Sequence, residues 1–295
     1  MSRLISEGHQ VICASRSDSA DRIIADLGGT PTRVDLFDAG ALRQAVGDAE
    51  AVLHLATAIP PSAEMGDLST WVTNDRLREE TTAHLADAVA ANGARSLLLQ
   101  SYFGVRAPDG DTWIGEAADR EPQWSRIGVM DSMRTAEETT RALSKRGADG
   151  VILRFGSLYS ATSEQLQAQV RFLRAGEASI PGDGSNYWPF IGTEDAAAAV
   201  VAALPLTDGA YDVGDDDPAT LEAFWTMAAR TLGVPTPPKA AVSGPMTDIL
   251  LGSWRVSNRT FAEATGWKPR YPSVSEGWPD AVRRYLTEKP GLRPT

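Results

Sequence analysis

The sequence predicts an α/β fold, with a doubly wound parallel sheet and a smaller C-terminal lobe. Between residue 11 and about residue 205, short apolar runs alternate with longer amphipathic segments, as in parallel strands joined by helical crossovers. After about residue 160 this alternation loosens into loops rich in Pro and Trp, which are typical of a second lobe over the carboxyl edge of a sheet. The apolar runs are VICAS, TRVDL, AVLHLA, SLLLQS and VILRFG.

The chain begins with a helix end, a tight turn and a predicted buried strand. Leu4 and Ile5 precede a Glu-Gly-His break, and the apolar run VICAS follows this break. A first helix is therefore already under way at residue 1. The strand expected before this helix is missing from the sequence.

Two later segments are predicted helices with clear C-terminal stops. TNDRLREETTAHLADAVAANG carries its apolar side chains on one face and stops at Gly93. TAEETTRALSKRG stops at Gly147, just before the strand VILRFG. Both glycines favour the left-handed backbone that commonly ends a helix.

The acidic balance of the chain limits its partners. The formal net charge is -11, whereas binding to nucleic acid or to an anionic membrane requires a basic surface. No apolar stretch reaches transmembrane length, and the N-terminus lacks the pattern of a signal peptide. We therefore expect a small-molecule partner, and neither nucleic acid nor membrane.

Cysteine and histidine usage indicates neither disulfides nor metal. The single cysteine, Cys13, lies inside the first predicted strand, where we expect it to be a small core residue. One cysteine cannot form an intrachain disulfide, which fits a reducing compartment, so we expect a cytoplasmic protein. The three histidines are scattered, and no metal site is expected.

The order of the segments resembles the short-chain dehydrogenase/reductase superfamily, in particular its extended branch, the NAD-dependent epimerase/dehydratase family. EGHQVICASRS, TRVDLFD and AVLHLAT are similar to the second, third and fourth strands of the family, and RFGSLYS is similar to its sixth. IPGDGSNYWPFIGTEDAAAAVVAAL resembles the substrate loop and the helix after it, and TGWKPRYPSVSEGW resembles the closing motif. The resemblance implies a Rossmann-like fold. Residues 1–160 would form an N-terminally incomplete dinucleotide-binding core, and residues 161–295 would complete it over about 190–215 and form the substrate lobe.

One departure from the family concerns the cofactor's pyrophosphate. In the family the first strand ends in a glycine-rich turn, GxxGxxG, which lets the backbone approach the pyrophosphate at a helix N-terminus. This sequence has no such turn. Either a strand, a turn and part of a helix, roughly 20 residues, precede Met1, or the protein lacks this loop. We favour the first explanation, because losing a central strand leaves neighbouring apolar strands unpaired.

A second departure concerns the family's catalytic Tyr-x-x-x-Lys pair. Aligned on Ala136 and Glu137, the Tyr position falls on Val129 and the Lys position falls on Met133. Neither side chain can donate a proton to a carbonyl oxygen. Atypical members of the same branch share this feature.

Two adjacent residues are the catalytic candidates that remain. Ser101, at the end of SLLLQS, matches the family's Ser that hydrogen-bonds the reacting oxygen, and Tyr102 offers a phenolic hydroxyl. Successive strand residues point to opposite faces, so we expect only one of the two to face the site. Near the vacated positions, we expect capping and solvation of a helix start from three polar residues, Asp131, Ser132 and Arg134.

The resemblance also assigns cofactor contacts. Ser15 and Arg16 follow the second strand of the family, where a basic residue accommodates a 2′-phosphate, so NADP is preferred over NAD. This preference is conditional on a phosphate-binding turn upstream of Met1. His54 is expected to be a buried structural residue. The remaining cofactor contacts would be Asp35 and Leu36 at the adenine, and Leu55, Ala56 and Thr57 beside the pyrophosphate and ribose.

Substrate contacts are expected from Tyr187 and Trp188, although aromatic packing under the second lobe explains them equally well. The resemblance implies an NAD(P)-dependent oxidoreductase or epimerase/dehydratase-like enzyme acting on a small carbonyl, hydroxyl or sugar-like substrate. Two alternatives remain open: an NADP-binding regulator without turnover, and a non-redox isomerase or cyclase. The resemblance of TAEETTRAL and TNDRLREETTAHL to helices at family dimer interfaces implies a possible homodimer.

Overall fold

The structure, a computed structural model, describes residues 1–115 and 124–288. Helices and strands alternate through its first half, as the apolar runs predict. In chain order these elements are α1 (Ser2–Ser6), β1 (Ile12–Ser15), α2 (Asp18–Asp26), β2 (Thr30–Arg33), α3 (Ala39–Val46), β3 (Ala51–His54), α4 (Val72–Arg76), α5 (Thr82–Asn92), β4 (Ser96–Tyr102), β5 (Trp113–Ile114), α6 (Asp131–Arg141) and β6 (Asp149–Phe155).

The second half supplies one more core strand and the elements of the lobe. They are β7 (Ser157–Tyr159), α7 (Glu164–Ala175), β8 (Ile180–Pro181), β9 (Tyr187–Trp188), β10 (Phe190–Gly192), α8 (Thr193–Ala202), β11 (Gly209–Val213), β12 (Ala219–Thr220), α9 (Leu221–Leu232), β13 (Lys239–Ala240), α10 (Thr247–Leu251), β14 (Arg255–Val256), α11 (Arg259–Thr265) and α12 (Val274–Glu288).

The centre of the molecule is a four-stranded parallel sheet in the order β11-β6-β4-β3. Helices cover both faces, since side chains along β4 alternate between two apolar clusters. Leu97 packs with residues of α3 and α5, whereas Leu98 packs with residues of α8 and α11. The doubly wound α/β fold predicted from the sequence is confirmed. Strand β11 lies within the 190–215 range that was expected to complete the core.

Strands β1 and β2 form a separate parallel pair. Within the described ranges no ladder joins this pair to the four-stranded sheet, so β1 and β3 each keep one unpaired edge. The predicted first strand is present, but the prediction that this strand is buried is wrong. Ile12 is 56% exposed and Cys13 is half-buried, because nothing described covers this side of β1.

Strand β2 begins and ends earlier in the chain than the predicted strand TRVDL. It ends at Arg33, so Asp35 and Leu36 lie in the following loop. A carboxylate oxygen of Asp35 accepts a hydrogen bond from the backbone N–H of Phe37 at 2.9 Å. Such a local bond turns the chain and competes with strand pairing.

Both predicted helix stops are confirmed, because Gly93 and Gly147 adopt left-handed backbone angles, with φ of 77° and 82°. The predicted helix before Gly93 is not one uniform α-helix, however. A π-helical segment, Leu77–Thr81, separates α4 from α5. A π segment widens one turn, and such segments occur often at functional sites.

The C-terminal lobe packs over the carboxyl ends of the central strands. Its core includes three aromatic rings in edge-to-face contact, with centroids 5.1–5.9 Å apart: Phe103, Trp188 and Trp254. Helices α7, α9 and α12 supply much of the remaining apolar cluster. The lobe thereby forms one wall of the region into which β4 ends.

Candidate active site

Strand β4 ends in a small group of hydroxyl and indole side chains. The hydroxyl oxygens of Tyr102 and Ser157 lie 3.3 Å apart. The indole Nε1–H of Trp188 donates to the Ser157 hydroxyl at 2.7 Å, so Ser157 bridges the other two residues. Burial raises the pKa of the Tyr102 phenol, and at neutral pH this side chain is therefore a protonated hydrogen-bond donor.

A buried guanidinium lies near this group. Arg78 is 7% exposed, and its Nε and Nη1 atoms have no hydrogen-bond partner among the described residues. Burial lowers the pKa of Arg78 to about 10, while the negative charge of Asp75 opposes this shift. Arg78 therefore remains charged at neutral pH. It is close enough to Tyr102 for its positive charge to lower the phenol's pKa, against the larger effect of burial.

Arg78 is the second residue of the π-helical segment. His54 contacts the first residue of this segment, Leu77. The ring Nε2 of His54 lies 3.0 Å from the backbone carbonyl oxygen of Leu77. Burial lowers the pKa of His54, so the ring is neutral at pH 7 and its Nε2–H donates to that carbonyl. This contact matches the structural role predicted for His54.

Ser101 lies on the opposite face of β4 from Tyr102. Its hydroxyl is fully buried and donates to a carboxylate oxygen of Glu137 at 2.6 Å. Glu137 also accepts two hydrogen bonds from Arg154, at 2.8 Å and 2.6 Å. Strand alternation thus turns Ser101 toward α6 and Tyr102 toward the lobe, in line with the expectation that the two candidates face opposite sides. Glu137 is thus a buried carboxylate that pairs with the buried guanidinium of Arg154.

The two positions at which the sequence predicts the family's Tyr and Lys hold apolar side chains. Val129 packs at the edge of the lobe cluster, and Met133 is fully buried. Neither brings a proton donor to the Tyr102 group. The group therefore contains a phenol at the end of β4 instead of one on α6.

The sequence predicts that three polar residues cap and solvate the start of α6. In the structure none of the three caps this helix. The 3₁₀ turn Gly128–Met130 leads directly into α6, and no side chain caps the helix. The Asp131 carboxylate instead forms an ion pair with Arg134 at 2.9 Å. The Ser132 hydroxyl reaches across to a carboxylate oxygen of Asp75 at 2.7 Å.

The predicted cofactor residues all follow the carboxyl ends of parallel strands. Ser15, at the end of β1, donates a hydrogen bond to Asp21, and Arg16 is exposed without an ion pair among the described residues. Leu55, 44% exposed, begins the loop after β3. Arg16 and Leu55 thus present a cation and an exposed apolar side chain on the loops that follow these strands.

Of the two predicted substrate residues, the structure brings only Trp188 to the Tyr102 group. Tyr187 points the other way along the short strand β9. Its ring lies 5.0 Å from the Arg255 guanidinium, which also stacks over Trp113 at 4.3 Å. We therefore assign Tyr187 to packing of the lobe.

Sequence reasoning missed Arg78 and Ser157. A signal for Arg78 is present in the sequence, because Arg78 stands four residues before the buried Thr82 and seven before the buried Leu85. These spacings place a charged side chain on the inward face of the helix. Ser157 carries no comparable signal, since a single serine after a strand is ordinary.

Among residues 1–115 and 124–288, no group of three or more His, Cys, Asp or Glu side chains is arranged to hold a metal ion. No helix in the same ranges combines the length and apolarity needed to cross a membrane. A groove of about 870 Å³ lies between α1, α8 and the segment 265–270, and neither Tyr102 nor Arg78 lines it.

The relatives found by comparison with known proteins include a reductase and a dehydrogenase. Over 297 aligned residues the chain is 32% identical to a 3-diazoavenalumate denitrifying reductase of a Streptomyces species, covering 93% of this chain and 92% of that protein. It is 30% identical to the decarboxylating sterol-4-alpha-carboxylate 3-dehydrogenase of Dictyostelium discoideum, covering 79% and 72%.

Solved structures share the fold. The dTDP-glucose 4,6-dehydratase of Streptomyces venezuelae with NAD bound superposes with a TM-score of 0.78 at 19% identity, covering 99% of this chain and 94% of that chain. The UDP-glucose 4-epimerase of Thermotoga maritima gives a TM-score of 0.74 at 15% identity, covering 97% and 94%. The Rossmann-like fold predicted from the sequence is thereby confirmed.

The family model that matches describes the NAD dependent epimerase/dehydratase family, and it covers residues 1–214. This match confirms the resemblance that the order of segments predicts. A nicotinamide dinucleotide is the cofactor class that the match indicates. The chain belongs to the NAD-dependent epimerase/dehydratase family.

Proposed function

We propose that this protein is an NADP-dependent reductase of a small electrophilic substrate, with Tyr102 as the hydrogen-bond donor at the reacting centre. The observation that carries the proposal is the phenol of Tyr102, which lies 3.3 Å from the Ser157 hydroxyl and within the electrostatic influence of Arg78, while Val129 and Met133 hold no proton donor. An intact phenol and a guanidinium can stabilise negative charge that develops on a substrate oxygen.

The preference for NADP rests on the end of β1. Arg16 is exposed, makes no ion pair among the described residues, and is available to a 2′-phosphate. Asp35 and Leu36 would flank the adenine, and Leu55, Ala56 and Thr57 would lie beside the ribose and pyrophosphate. When bound, NADPH supplies the hydride, and the protein supplies orientation and electrostatics.

The names of the curated relatives fit a reductase or dehydrogenase. The Streptomyces relative is a denitrifying reductase of a diazo compound, and the Dictyostelium relative is a dehydrogenase of a sterol carboxylate. A reaction that expels nitrogen forms no alkoxide, so it does not require the family's Tyr-Lys pair. A carbonyl substrate would instead take its hydrogen bond from Tyr102.

The test is oxidation of NADPH or NADH in the presence of aryl aldehydes, ketones and aryl diazo acids. The loss of nicotinamide absorbance measures this oxidation. We expect turnover that is faster with NADPH. For a carbonyl substrate we expect kcat/KM to fall about 100-fold in Tyr102→Phe, the scale of one proton donor. Tyr271→Phe, which removes a half-buried phenol that donates to Asp280, is the matched control and should retain activity.

Two outcomes would overturn this proposal. NADPH binding without turnover on any of these substrates would favour a regulator that senses the cofactor. Turnover without a nicotinamide cofactor would favour an isomerase or cyclase on the same fold.

A further inference from the structure

We infer that Arg78 binds a carboxylate of the substrate, so that the substrate is a small organic acid whose reacting group lies at Tyr102. This inference rests on the proposed function and names its substrate class. It comes from three features of the described residues: an unpaired buried guanidinium, a row of unused hydrogen-bond donors, and the neighbouring phenol.

Arg78 differs from the other buried arginine. Two arginines among the described residues are buried, Arg78 and Arg154. Arg154 makes two hydrogen bonds to Glu137, whereas the Nε and Nη1 atoms of Arg78 have no hydrogen-bond partner in the described part of the chain. A buried charge without a partner is costly, so such a residue is expected to serve a ligand.

The acidic residue close to Arg78 is committed elsewhere. Asp75 lies three residues earlier, and its carboxylate accepts the hydroxyl of Ser132 at 2.7 Å. Asp75 and Arg78 form no ion pair or hydrogen bond in the described structure. The Nε and Nη1 atoms of the guanidinium are therefore unpaired among the described residues, and both are shielded from solvent, so an anion reaches them only when the side chains around Arg78 move.

Arg78 belongs to a row of unused donors along one helical face. Asn74, Arg78 and Thr82 follow one another at intervals of four residues, and all three are buried. The Nδ2 atom of Asn74 and the hydroxyl of Thr82 also have no hydrogen-bond partner. The other amide atom of Asn74 accepts the backbone N–H of Ala58, in the loop after β3, at 3.1 Å. Such a row matches a ligand that presents several acceptor oxygens.

A carboxylate fits this row better than a phosphate. The planar fork of one guanidinium matches the two oxygens and the single charge of a carboxylate. A phosphate dianion requires more positive charge, whereas the neighbour Asp75 adds a negative one. The half-buried Tyr102 ring, backed by Phe103 at a centroid distance of 4.1 Å, offers an aromatic surface to the body of the acid.

The experiment compares an acid with a neutral amide of the same shape. Cinnamate and cinnamamide would be titrated calorimetrically into the wild-type protein, with and without NADPH. We expect cinnamate to bind at least about 10-fold more tightly than cinnamamide, as for a charge-assisted bidentate contact. Arg78→Gln should abolish this preference, and Arg78→Lys should keep part of it.

The matched control is Arg146→Gln. Arg146 is an exposed arginine paired with Asp87, so this substitution changes the net charge by the same amount away from the site. It should leave the preference for cinnamate unchanged. Melting temperatures of all variants would show that each one is folded.

Three results would overturn the inference: equal affinity for the acid and the amide, no binding of either probe, or an acid preference that survives in Arg78→Gln. A loss of NADPH affinity alone in Arg78→Gln would reassign Arg78 to the cofactor and would also overturn it. Acid preference without NADPH binding would instead contradict the proposed function while supporting the role of Arg78.

Discussion

Ser101 and Tyr102 are neighbours in the chain but serve opposite faces of the sheet. Their alternation could be predicted from the sequence, since β4 is a clear apolar strand. Which of the two faces the lobe could not be predicted, because that depends on which helices pack against each face. The contact of Ser101 with Glu137 settles the assignment.

Arg78 leads to a prediction about stability. Replacing an unpaired buried charge by an apolar side chain of similar length removes a desolvation cost. We expect Arg78→Met to raise the free energy of unfolding by about 1–3 kcal/mol. Urea unfolding of the wild type and the variant would measure this. A variant less stable than the wild type would show that Arg78 holds the fold together.

Asp215 leads to a prediction about pH. Burial, and then the negative charges of Asp195 and Asp216, raise the pKa of Asp215 from 3.8 to about 8. The folded state therefore holds a proton that the unfolded state loses above its pKa, so stability falls as pH rises between these two values. We expect Asp215→Asn to flatten this fall and to stabilise the protein above about pH 8 by about 1–3 kcal/mol.

Denaturant unfolding across this pH range would check the Asp215 prediction. The comparison variant is Asp217→Asn, two residues further along the chain, where the side chain is exposed. An unchanged pH dependence in Asp215→Asn would contradict the assignment of a protonated Asp215.

At the scale of elements, the π segment decides where Arg78 points. The apolar spacing of TNDRLREETTAHLADAVAANG predicts a helix. This spacing fits a regular α-helix and a helix with one extra residue in a turn, so it does not reveal the π segment. Deleting the exposed residue Glu79 should restore a regular α-helix and rotate α4 relative to α5. We expect this deletion to abolish the preference for cinnamate.

Circular dichroism and the same calorimetric titration would test the deletion. A folded deletion variant that keeps the acid preference would contradict a positioning role for the π segment. Replacing Glu79 by Ala, which leaves the chain length unchanged, is the control and should behave as the wild type.

Strand β1 shows a limit of reading elements from sequence. The run VICAS is apolar enough to predict a buried strand, and the strand itself is present. Its burial depends on what lies against it, which periodicity within the run does not encode. Exposed Ile12 and half-buried Cys13 are the result.

At the scale of the whole molecule, the ordered motifs predict the fold because each strand and its flanking turn leaves its own pattern. The site is harder to predict, because Tyr102, Arg78 and Ser157 come from three separate segments that meet only in the folded chain. Val129 and Met133, the positions at which the sequence predicts the family's Tyr and Lys, both carry apolar side chains.

The measurement that tests the account most directly is a crystal structure of the protein with NADP⁺ and cinnamate. We predict the carboxylate on Arg78, and the rest of the acid between Tyr102 and the nicotinamide ring. A nicotinamide ring remote from Tyr102, or a carboxylate bound away from Arg78, would contradict the account.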